Sequence, residues 1–308
     1  MQSINKARLQ IHFCVLLWGF TAILGKLITL PALSLVWWRM LLVTGALLML
    51  PKVWRGLRAM SMRLRLAYAG IGVLVSLHWL TFYAAIKLAN ASVGATCIAL
   101  GPAFLAFIEP WLTRRRFDPR EVLMAVAVVP GVAMVAGGVP GHMRLGIAVG
   151  VLSALFVALF GSLNKRLVEH GDPLTVTCIE LGTGAVFLTL LAPLLPHTGP
   201  AYQLPDTHDA LLLLLLAFGC TLLPFTLALV ALRHISAFAT QMITNLEPVY
   251  AIVLAMLLLG EQRQLDMWFY AGVMVILAAV FAHPLLHRKD QAPIQPELLG
   301  AAESHNLD

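Results

Sequence analysis

Charged residues are scarce in this sequence. Of its 308 residues only 12% are Asp, Glu, Lys or Arg, whereas 60% are hydrophobic and the mean hydropathy is +0.86. A soluble domain carries roughly 25% charged residues, which keep its surface in water. The shortage of charge therefore excludes a soluble globular protein and indicates a chain that lies in a membrane.

Signatures of enzymes, cofactors and disulfides are also missing. The sequence has no GxSxG, no HExxH and no P-loop GxxxxGK[ST]. Its four cysteines, Cys14, Cys97, Cys178 and Cys220, lie in apolar runs without CxxC spacing, as expected for buried and reduced side chains. We therefore predict no enzyme, no cofactor and no metal site, and without a P-loop the energy source must be an ion gradient.

Long apolar runs are what the sequence has in abundance. A membrane-spanning helix needs about 20 apolar residues. The tail at 287–308 is polar and has no periodic apolar face, so we predict that it is disordered. We predict an all-α membrane protein with ten spans: Ile11–Leu30, Leu33–Leu50, Leu66–Leu88, Ala91–Leu112, Val122–Val139, Leu145–Leu163, Pro173–Leu195, Ala210–Leu232, Ile235–Leu259 and Met267–Leu286.

The distribution of basic residues predicts the orientation of these spans. Lys and Arg accumulate in cytoplasmic loops. With ten spans and a cytoplasmic N-terminus, 16 of the 21 basic residues fall on the inner side. Lys26, Lys87, Arg144 and Arg263 fall outside, and Arg39 lies within a span. The orientation of the spans therefore explains the net charge of +6, which lies mainly in the predicted cytoplasmic loops. We predict that the protein does not bind nucleic acid.

The two halves of the chain resemble each other weakly. At an offset of 146 residues, Lys87 pairs with Arg233, and Leu100, Pro102 and Phe104 pair with Leu246, Pro248 and Tyr250. Five spans per half is an odd number, so the second half must cross the membrane in the opposite direction. Inverted repeats are typical of secondary transporters, which bind substrate near the midplane between the halves.

These residues resemble the EamA branch of the drug/metabolite transporter superfamily. The resemblance is carried by Trp18-Gly19, by Arg39, by the run Asn245-Leu246-Glu247-Pro248-Val249-Tyr250 with the following Leu259-Gly260-Glu261, and by Gly272. It covers two five-helix units, residues 9–138 and 145–284. The first unit departs from the pattern, because Arg114-Arg115-Arg116 replaces the Leu-Gly-Glu sequence. The two halves are therefore not expected to be functionally equivalent.

The resemblance implies a multi-pass protein of the bacterial inner membrane with both termini in the cytoplasm. It implies a central cavity lined mainly by spans 1, 3, 4, 6, 8 and 9. It also implies transport of amino acids, sugars, nucleotide precursors or drug-like metabolites, often outward. These motifs identify the superfamily, but they do not identify the substrate.

Polar residues of the ninth span form the first candidate binding group. Thr240, Thr244 and Glu247 share one helical face, and Gln241 and Asn245 lie beside it. A charged side chain near the middle of the bilayer, such as Glu247, costs about 2.5–3.5 kcal/mol and so needs a reason. We predict that Glu247, Gln241 and Asn245 bind substrate; the alternative is that Glu247 only fixes helix packing.

Aromatic residues and a histidine form the second candidate group. His78, Trp79 and Tyr83 lie in span 3, Trp18 lies in span 1, and Tyr250 lies in span 9. Such side chains can cover an organic substrate, and a histidine can carry a proton. The alternative for each is packing in an aromatic-rich interface.

Arg39 and Glu180 occupy equivalent places in the two halves, at an offset of 141 residues. Each lies about six residues into its span, the second and the seventh. The resemblance puts these spans at the periphery of the bundle, so we predict that both residues orient helices and do not bind substrate.

The combined expectation is a secondary transporter that exports small metabolites such as amino acids by alternating access. Its partners are a small-molecule substrate and the lipid bilayer, with protons as the candidate coupling ion and a monomer or homodimer as the assembly. Two other classes stay open. A membrane-embedded enzyme on a lipid-linked substrate would use Glu247 and His78 as acid and base, and a structural subunit would need no buried polar residues.

The predicted topology can be tested with reporter fusions, because a wrong span count would invert every downstream loop. An outside signal after Arg166 would break the inverted repeat. Fusions are expected to report the cytoplasm after Lys52, Arg116, Arg166 and Lys289, and the outside after Arg144 and Asp206.

Overall fold

The computed structural model describes residues 2–113, 119–195, 202–235, 240, 243–244 and 246–286, and its regular elements there are all helices. The first half contains α1 (Gln2–Leu27), α2 (Ala32–Leu48), α3 (Pro51–Ala59), α4 (Met62–Leu88), α5 (Ala91–Ile98), α6 (Gly101–Thr113) and α7 (Pro119–Gly137). The second half contains α8 (Arg144–Leu167), α9 (Pro173–Leu191), α10 (Thr207–Leu214), α11 (Leu223–Leu232), α12 (Glu247–Leu254) and α13 (Met267–Leu286). A π-helical stretch, Leu215–Leu222, joins α10 to α11, and another, Ala255–Leu259, continues α12.

The helices follow the ten apolar runs. Among the described residues, α1, α4, α5 with α6, α8, α9 and the continuous α10–α11 are each long and apolar enough to cross a membrane. The other four runs correspond to the helices α2, α7, α12 and α13. The prediction of an all-α membrane protein is confirmed, and the ninth span is described only in part.

One helix was not predicted. The short α3 leaves α2 at an angle of 90°. It exposes Lys52 and Arg55 and buries Val53, a pattern typical of a helix that lies along a membrane surface. Lys52 Nζ forms a salt bridge of 2.7 Å with Asp172, which caps α9, so α3 also joins the two halves.

Helix contacts recur when the two halves are exchanged. In the first half, α4 and α5 pack on α8, the first span of the second half. Their equivalents in the second half, α11 and α12, pack in the same way on α1, the first span of the first half. The pairs α2–α9 and α7–α13 each join equivalent helices. The predicted arrangement of two inverted five-helix repeats is confirmed.

Two equivalent glycines bring α7 and α13 into close contact. A Cβ on Gly131 would lie 3.0 Å from the carbonyl oxygen of Gly272, and a Cβ on Gly272 would lie 2.6 Å from that of Gly131. Small residues at such crossings let the backbones of membrane helices approach closely. Gly131 and Gly272 are 141 residues apart, as Arg39 and Glu180 are, so they occupy equivalent positions in the two halves. The two halves therefore meet at this crossing through equivalent residues.

Spans 4 and 9 are interrupted at equivalent positions. The Leu100 amide donates to Cys97, three residues back, and the Leu246 amide donates to Ile243 in the same way, 146 residues later. In each half a helix begins one residue later, with a proline as its second residue. Proline lacks the amide hydrogen that a helix interior requires, and so the paired prolines account for the paired breaks.

Buried polar contacts mark the two ends of the bundle. At one end, Asp209 accepts hydrogen bonds from the Thr29 and Leu30 amides, and Glu261 accepts from the Ala91 and Ser92 amides at 2.9 Å each. We call this the Glu261 end, and each carboxylate belongs to the second half but binds backbone of the first.

The opposite end we call the Lys165 end. There Lys165 Nζ donates to the carbonyls of Leu232 and Ile235 at 2.6 and 2.9 Å, and Arg233 donates to the Gly171 carbonyl at 2.7 Å. Lys87 is the residue of the first half that is equivalent to Arg233. It donates to the Ile28 carbonyl, which follows the first span of the first half as Gly171 follows the first span of the second, and this contact lies at the Glu261 end.

The crossing of α4 and α9 can be tested at Gly72. A Cβ there would lie 2.9 Å from the carbonyl carbon of Glu180 and closer still to its oxygen. We expect Gly72→Ala to lower the thermal unfolding temperature, because overpacking typically costs about 1–3 kcal/mol. The control is Gly70→Ala, since nothing lies within 4 Å of that Cβ. An equal effect of the two substitutions would show that the helices do not depend on this contact.

Candidate functional site

A cavity lies between the two halves and is closed mainly by aromatic and aliphatic side chains. The centre of a water molecule can reach about 120 Å³ of it. It extends to Leu232, the last residue of α11, and to Asn164, and both lie at the Lys165 end. It is lined by Trp18, Thr21, Arg39, His78, Trp79, Phe82, Ile98, Leu105, Val157, Phe160, Gly161, Asn164, Phe225, Ala228, Leu229, Leu232, Thr240, Thr244 and Glu247.

Arg39 enters the cavity wall from α2. Its guanidinium carbon lies 3.8 Å from the centre of the Trp79 ring, and its nitrogens donate to Thr221 Oγ1, to the Tyr83 hydroxyl at 2.9 Å and to the Cys220 carbonyl at 3.4 Å. These partners lie on α4 and on the π-helical stretch. Arg39 therefore joins three helices through neutral groups, and no carboxylate of the described residues forms a salt bridge with it.

Glu247 is the acidic residue of the same cavity. It is the first residue of α12 and is 7% exposed. It shares the wall with Thr240 and Thr244, whose Oγ1 donates to the Thr240 carbonyl at 3.0 Å. Glu247 and Arg39 attract each other electrostatically, but no salt bridge within 4.0 Å joins them in the part of the chain that the structure describes.

His78 is held in one orientation by Ser153 of α8. Its Nδ1 lies 3.0 Å from the Ser153 carbonyl, and the Ser153 hydroxyl donates to the His78 carbonyl at 2.9 Å. The Ser153 hydroxyl also lies 2.8 Å from Nδ1, so both oxygens of Ser153 contact this nitrogen and leave Nε2 as the other polar atom of the ring. The ring packs beside Phe160 and Phe82, with centroids 5.5 and 6.1 Å away.

Asn164 connects the cavity to Glu180. Its amide Nδ2 lies 3.4 Å from Glu180 Oε2, and both side chains are buried. Glu180 lies on α9 where the backbone of that helix contacts Gly72 of α4. Unlike Arg39, its partner in the repeat, Glu180 does not line the cavity.

The structure places the predicted binding residues in different ways. Trp18, His78, Trp79 and Glu247 all lie in the cavity wall. Tyr83 is fully buried behind Arg39 and binds its guanidinium. Tyr250 is 39% exposed on the side of the bundle, where its Cβ packs against Gly19. Gln241 and Asn245 lie outside the described residues.

Several wall residues were not predicted, although a pattern pointed to them. Val157, Phe160, Gly161 and Asn164 recur at intervals of three and four residues on α8, which is the spacing of one helical face. Arg39 was expected at the periphery, yet it lines the cavity. The sequence does not fix how far α2 leans toward the centre, and so this placement required the structure.

The chain belongs to the EamA-like transporter family. The family profile matches residues 6–137 and 144–283, which together cover nearly the whole chain. A crystal structure of a protein superposes with a TM-score of 0.65 at 17% identity, over 93% of this chain and 98% of that one. The family and its transporter relatives identify this chain as a membrane transporter.

Two sequence relatives are transport proteins by name. One is phosphoenolpyruvate/phosphate translocator 2, chloroplastic, of Arabidopsis thaliana, which is 27% identical over 56% of this chain. The match spans only 44% of that translocator. The other is an uncharacterized transporter of Clostridium kluyveri, which is 24% identical over 72% of this chain and 75% of its own length.

The network around Arg39 predicts a stability effect. Arg39→Lys keeps the charge, but an ammonium cannot stack flat on Trp79 or reach three separated acceptors. We expect a lower thermal unfolding temperature, because each lost hydrogen bond to a charged group is worth about 1.5–3 kcal/mol. Tryptophan fluorescence of the purified protein in detergent measures it. The exposed Arg55→Lys should unfold as the wild type does, and equal unfolding of the two variants would contradict the prediction.

Proposed function

We propose that this chain is a secondary transporter that binds small metabolites such as amino acids in the cavity and exports them by alternating access. The observation that carries the proposal is the presence of Arg39 and Glu247 in one largely apolar cavity between the two halves. Two opposite charges complement the carboxylate and the ammonium of a zwitterion. The aromatic residues can cover its side chain, as apolar pocket walls do in other small-molecule sites.

The charges of the cavity are available for a substrate. Three of the five donor hydrogens of Arg39 are used by Thr221, Tyr83 and Cys220, which leaves two for a carboxylate. Glu247 accepts no hydrogen bond from another described residue that would compete with a substrate ammonium. In a cavity lined mainly by apolar side chains, both contacts are stronger than on a protein surface.

The size of the cavity suits a small metabolite. A water molecule takes up about 30 Å³ in the liquid, so a cavity of about 120 Å³ has room for several water molecules. Their release would favour binding of a substrate with an apolar part.

Alternating access is supported by the unequal ends of the bundle. At the Glu261 end, Asp209 and Glu261 hold backbone amides of the first half, whereas the cavity reaches the Lys165 end through Asn164 and Leu232. Opening the Glu261 end requires these carboxylates to release their amides. The positive-inside distribution assigns the Lys165 end to the cytoplasm, which suits export of a cytoplasmic substrate.

One relative suggests a second class of substrate. The Arabidopsis translocator is named for phosphoenolpyruvate and phosphate, and Arg39 could bind such an anion. Glu247 lies in the same wall and would repel it. A zwitterion satisfies both residues, and so it is the class that we favour.

The proposal can be tested in proteoliposomes loaded with a mixture of ¹⁴C-labelled amino acids. We expect label to leave the vesicles faster than from protein-free vesicles, and faster still when unlabelled amino acids outside permit exchange. A parallel set is loaded with ³²P-phosphate and labelled phosphoenolpyruvate. Transport of the phosphorylated anions alone would replace our substrate class, and transport of neither set would refute it.

Glu247 should decide the recognition of amines. Glu247→Gln keeps the shape of the side chain but removes its charge, so folding should be preserved. We expect the KM for the amino-acid mixture to rise at least about tenfold, since a charge-assisted hydrogen bond contributes about 1.5–3 kcal/mol. The same change at exposed Glu169 should leave KM unaltered. An unaltered KM in Glu247→Gln, or a loss of folded protein, would favour the packing role.

A further inference from the structure

Glu180 is an unusual carboxylate for the interior of a membrane protein. It is fully buried in α9, and within the described residues it accepts a single hydrogen bond, the long one of 3.4 Å from Asn164 Nδ2. Its second oxygen, Oε1, accepts no hydrogen bond in the described part of the chain. A buried carboxylate usually needs a cation or several donors, because burying an unpaired charge is costly.

Asn164 has a matching deficiency. Its Oδ1 is buried and also lacks a donor among the described residues. The pair therefore contains acceptors in excess of donors. A single added hydrogen on Glu180 would correct both faults, because it removes the charge and turns one carboxyl oxygen into a donor.

We propose that Glu180 and Asn164 form a proton-binding site that is separate from the substrate-binding charges and communicates with the cavity through the Asn164 amide. A proton from water in the cavity adds to Glu180 Oε2. The Asn164 amide then turns by half a rotation, so that Oδ1 accepts from the new O–H and Nδ2 faces away. Loss of the proton to water restores the carboxylate and the original orientation of the amide.

The groups around Glu180 leave it without a permanent counter-charge. On α4, the Tyr68 hydroxyl donates to the Leu167 carbonyl at 2.6 Å, and Lys52 of α3 pairs with Asp172. Arg233, after α11, donates to the Gly171 carbonyl, and Arg39 of α2 is bound by its own neutral partners. None of these basic groups forms a salt bridge with Glu180 within the described residues, so a proton is the available cation.

The position of Asn164 links this proton to transport. Asn164 lines the cavity, while Glu180 behind it does not. Turning the amide exchanges a donor for an acceptor at the cavity wall, and a substrate that binds one orientation better shifts the proton equilibrium by its differential affinity. This coupling rests on the proposed transport function, whereas the protonation of Glu180 does not.

Infrared difference spectroscopy tests the protonation without any substrate. Protein reconstituted in lipid is perfused with alternating acidic and alkaline buffer, and the carbonyl stretch of protonated carboxyl groups is recorded. Glu247→Gln serves as background, so that Glu247 cannot contribute. We expect a pH-dependent band in Glu247→Gln that disappears in Glu247→Gln/Glu180→Gln and persists in Glu247→Gln/Glu169→Gln. Identical spectra with and without Glu180 would overturn the proposal.

Asn164→Ala supplies a second test that leaves the carboxyl in place, in case the Glu180 variant does not fold. In the Glu247→Gln background the band should remain but shift, because the hydrogen bond to Oδ1 is lost. An unshifted band would overturn the assigned partner.

The coupling is tested by exchange of the labelled amino-acid mixture over a range of pH. Glu180→Gln should flatten the pH profile that the wild type shows, while Glu169→Gln keeps it. An unchanged profile in Glu180→Gln would overturn the coupling. Absence of exchange by the wild type would refute the transport proposal and leave the infrared result to decide whether Glu180 binds a proton.

Discussion

The interior of a bilayer offers no hydrogen-bond partner, and every polar group of this bundle must find one within the protein or in a cavity. The helices satisfy most of the backbone in this way. At the Glu261 end, where buried backbone amides of the first half need acceptors, carboxylates from the other half supply them. Two of the polar side chains, those of Glu247 and Asn164, lie in the wall of the cavity. Water or a substrate can reach them there.

A symmetric scaffold here carries asymmetric chemistry. The repeat partner of Glu247 is Gly101, and the partner of Arg39 is Glu180. Each half therefore supplies one charge to the cavity, but from different spans. Because the backbone is symmetric, equivalent helices of the two halves make equivalent contacts at opposite ends of the bundle. Because the side chains are not symmetric, the cavity has a cationic residue on one half and an anionic residue on the other.

Composition and repetition predicted the fold, because a bilayer restricts a chain of this hydrophobicity to spanning helices. The pairings of Pro102 with Pro248 and of Lys87 with Arg233 correspond to equivalent helix breaks and equivalent carbonyl contacts. The cavity was predicted less completely. The identity of the side chains was enough to suggest Glu247 and His78. Whether Tyr83 or Arg39 faces the cavity depends on the rotation and tilt of the packed helices. In spans that are hydrophobic on all sides, the apolar periodicity of the sequence does not determine these angles.

The paired interruptions of spans 4 and 9 have a mechanical consequence. An uninterrupted helix resists sharp bending because backbone hydrogen bonds join every turn to the next, whereas an interruption of these bonds concentrates the bending at one level. The breaks after Leu100 and Leu246 are equivalent under the inverted repeat, so we expect both halves to bend most easily at matching depths beside the cavity. In the proposed transport cycle, bending at these two levels would move the ends of the spans while α7 and α13 stay packed at Gly131 and Gly272.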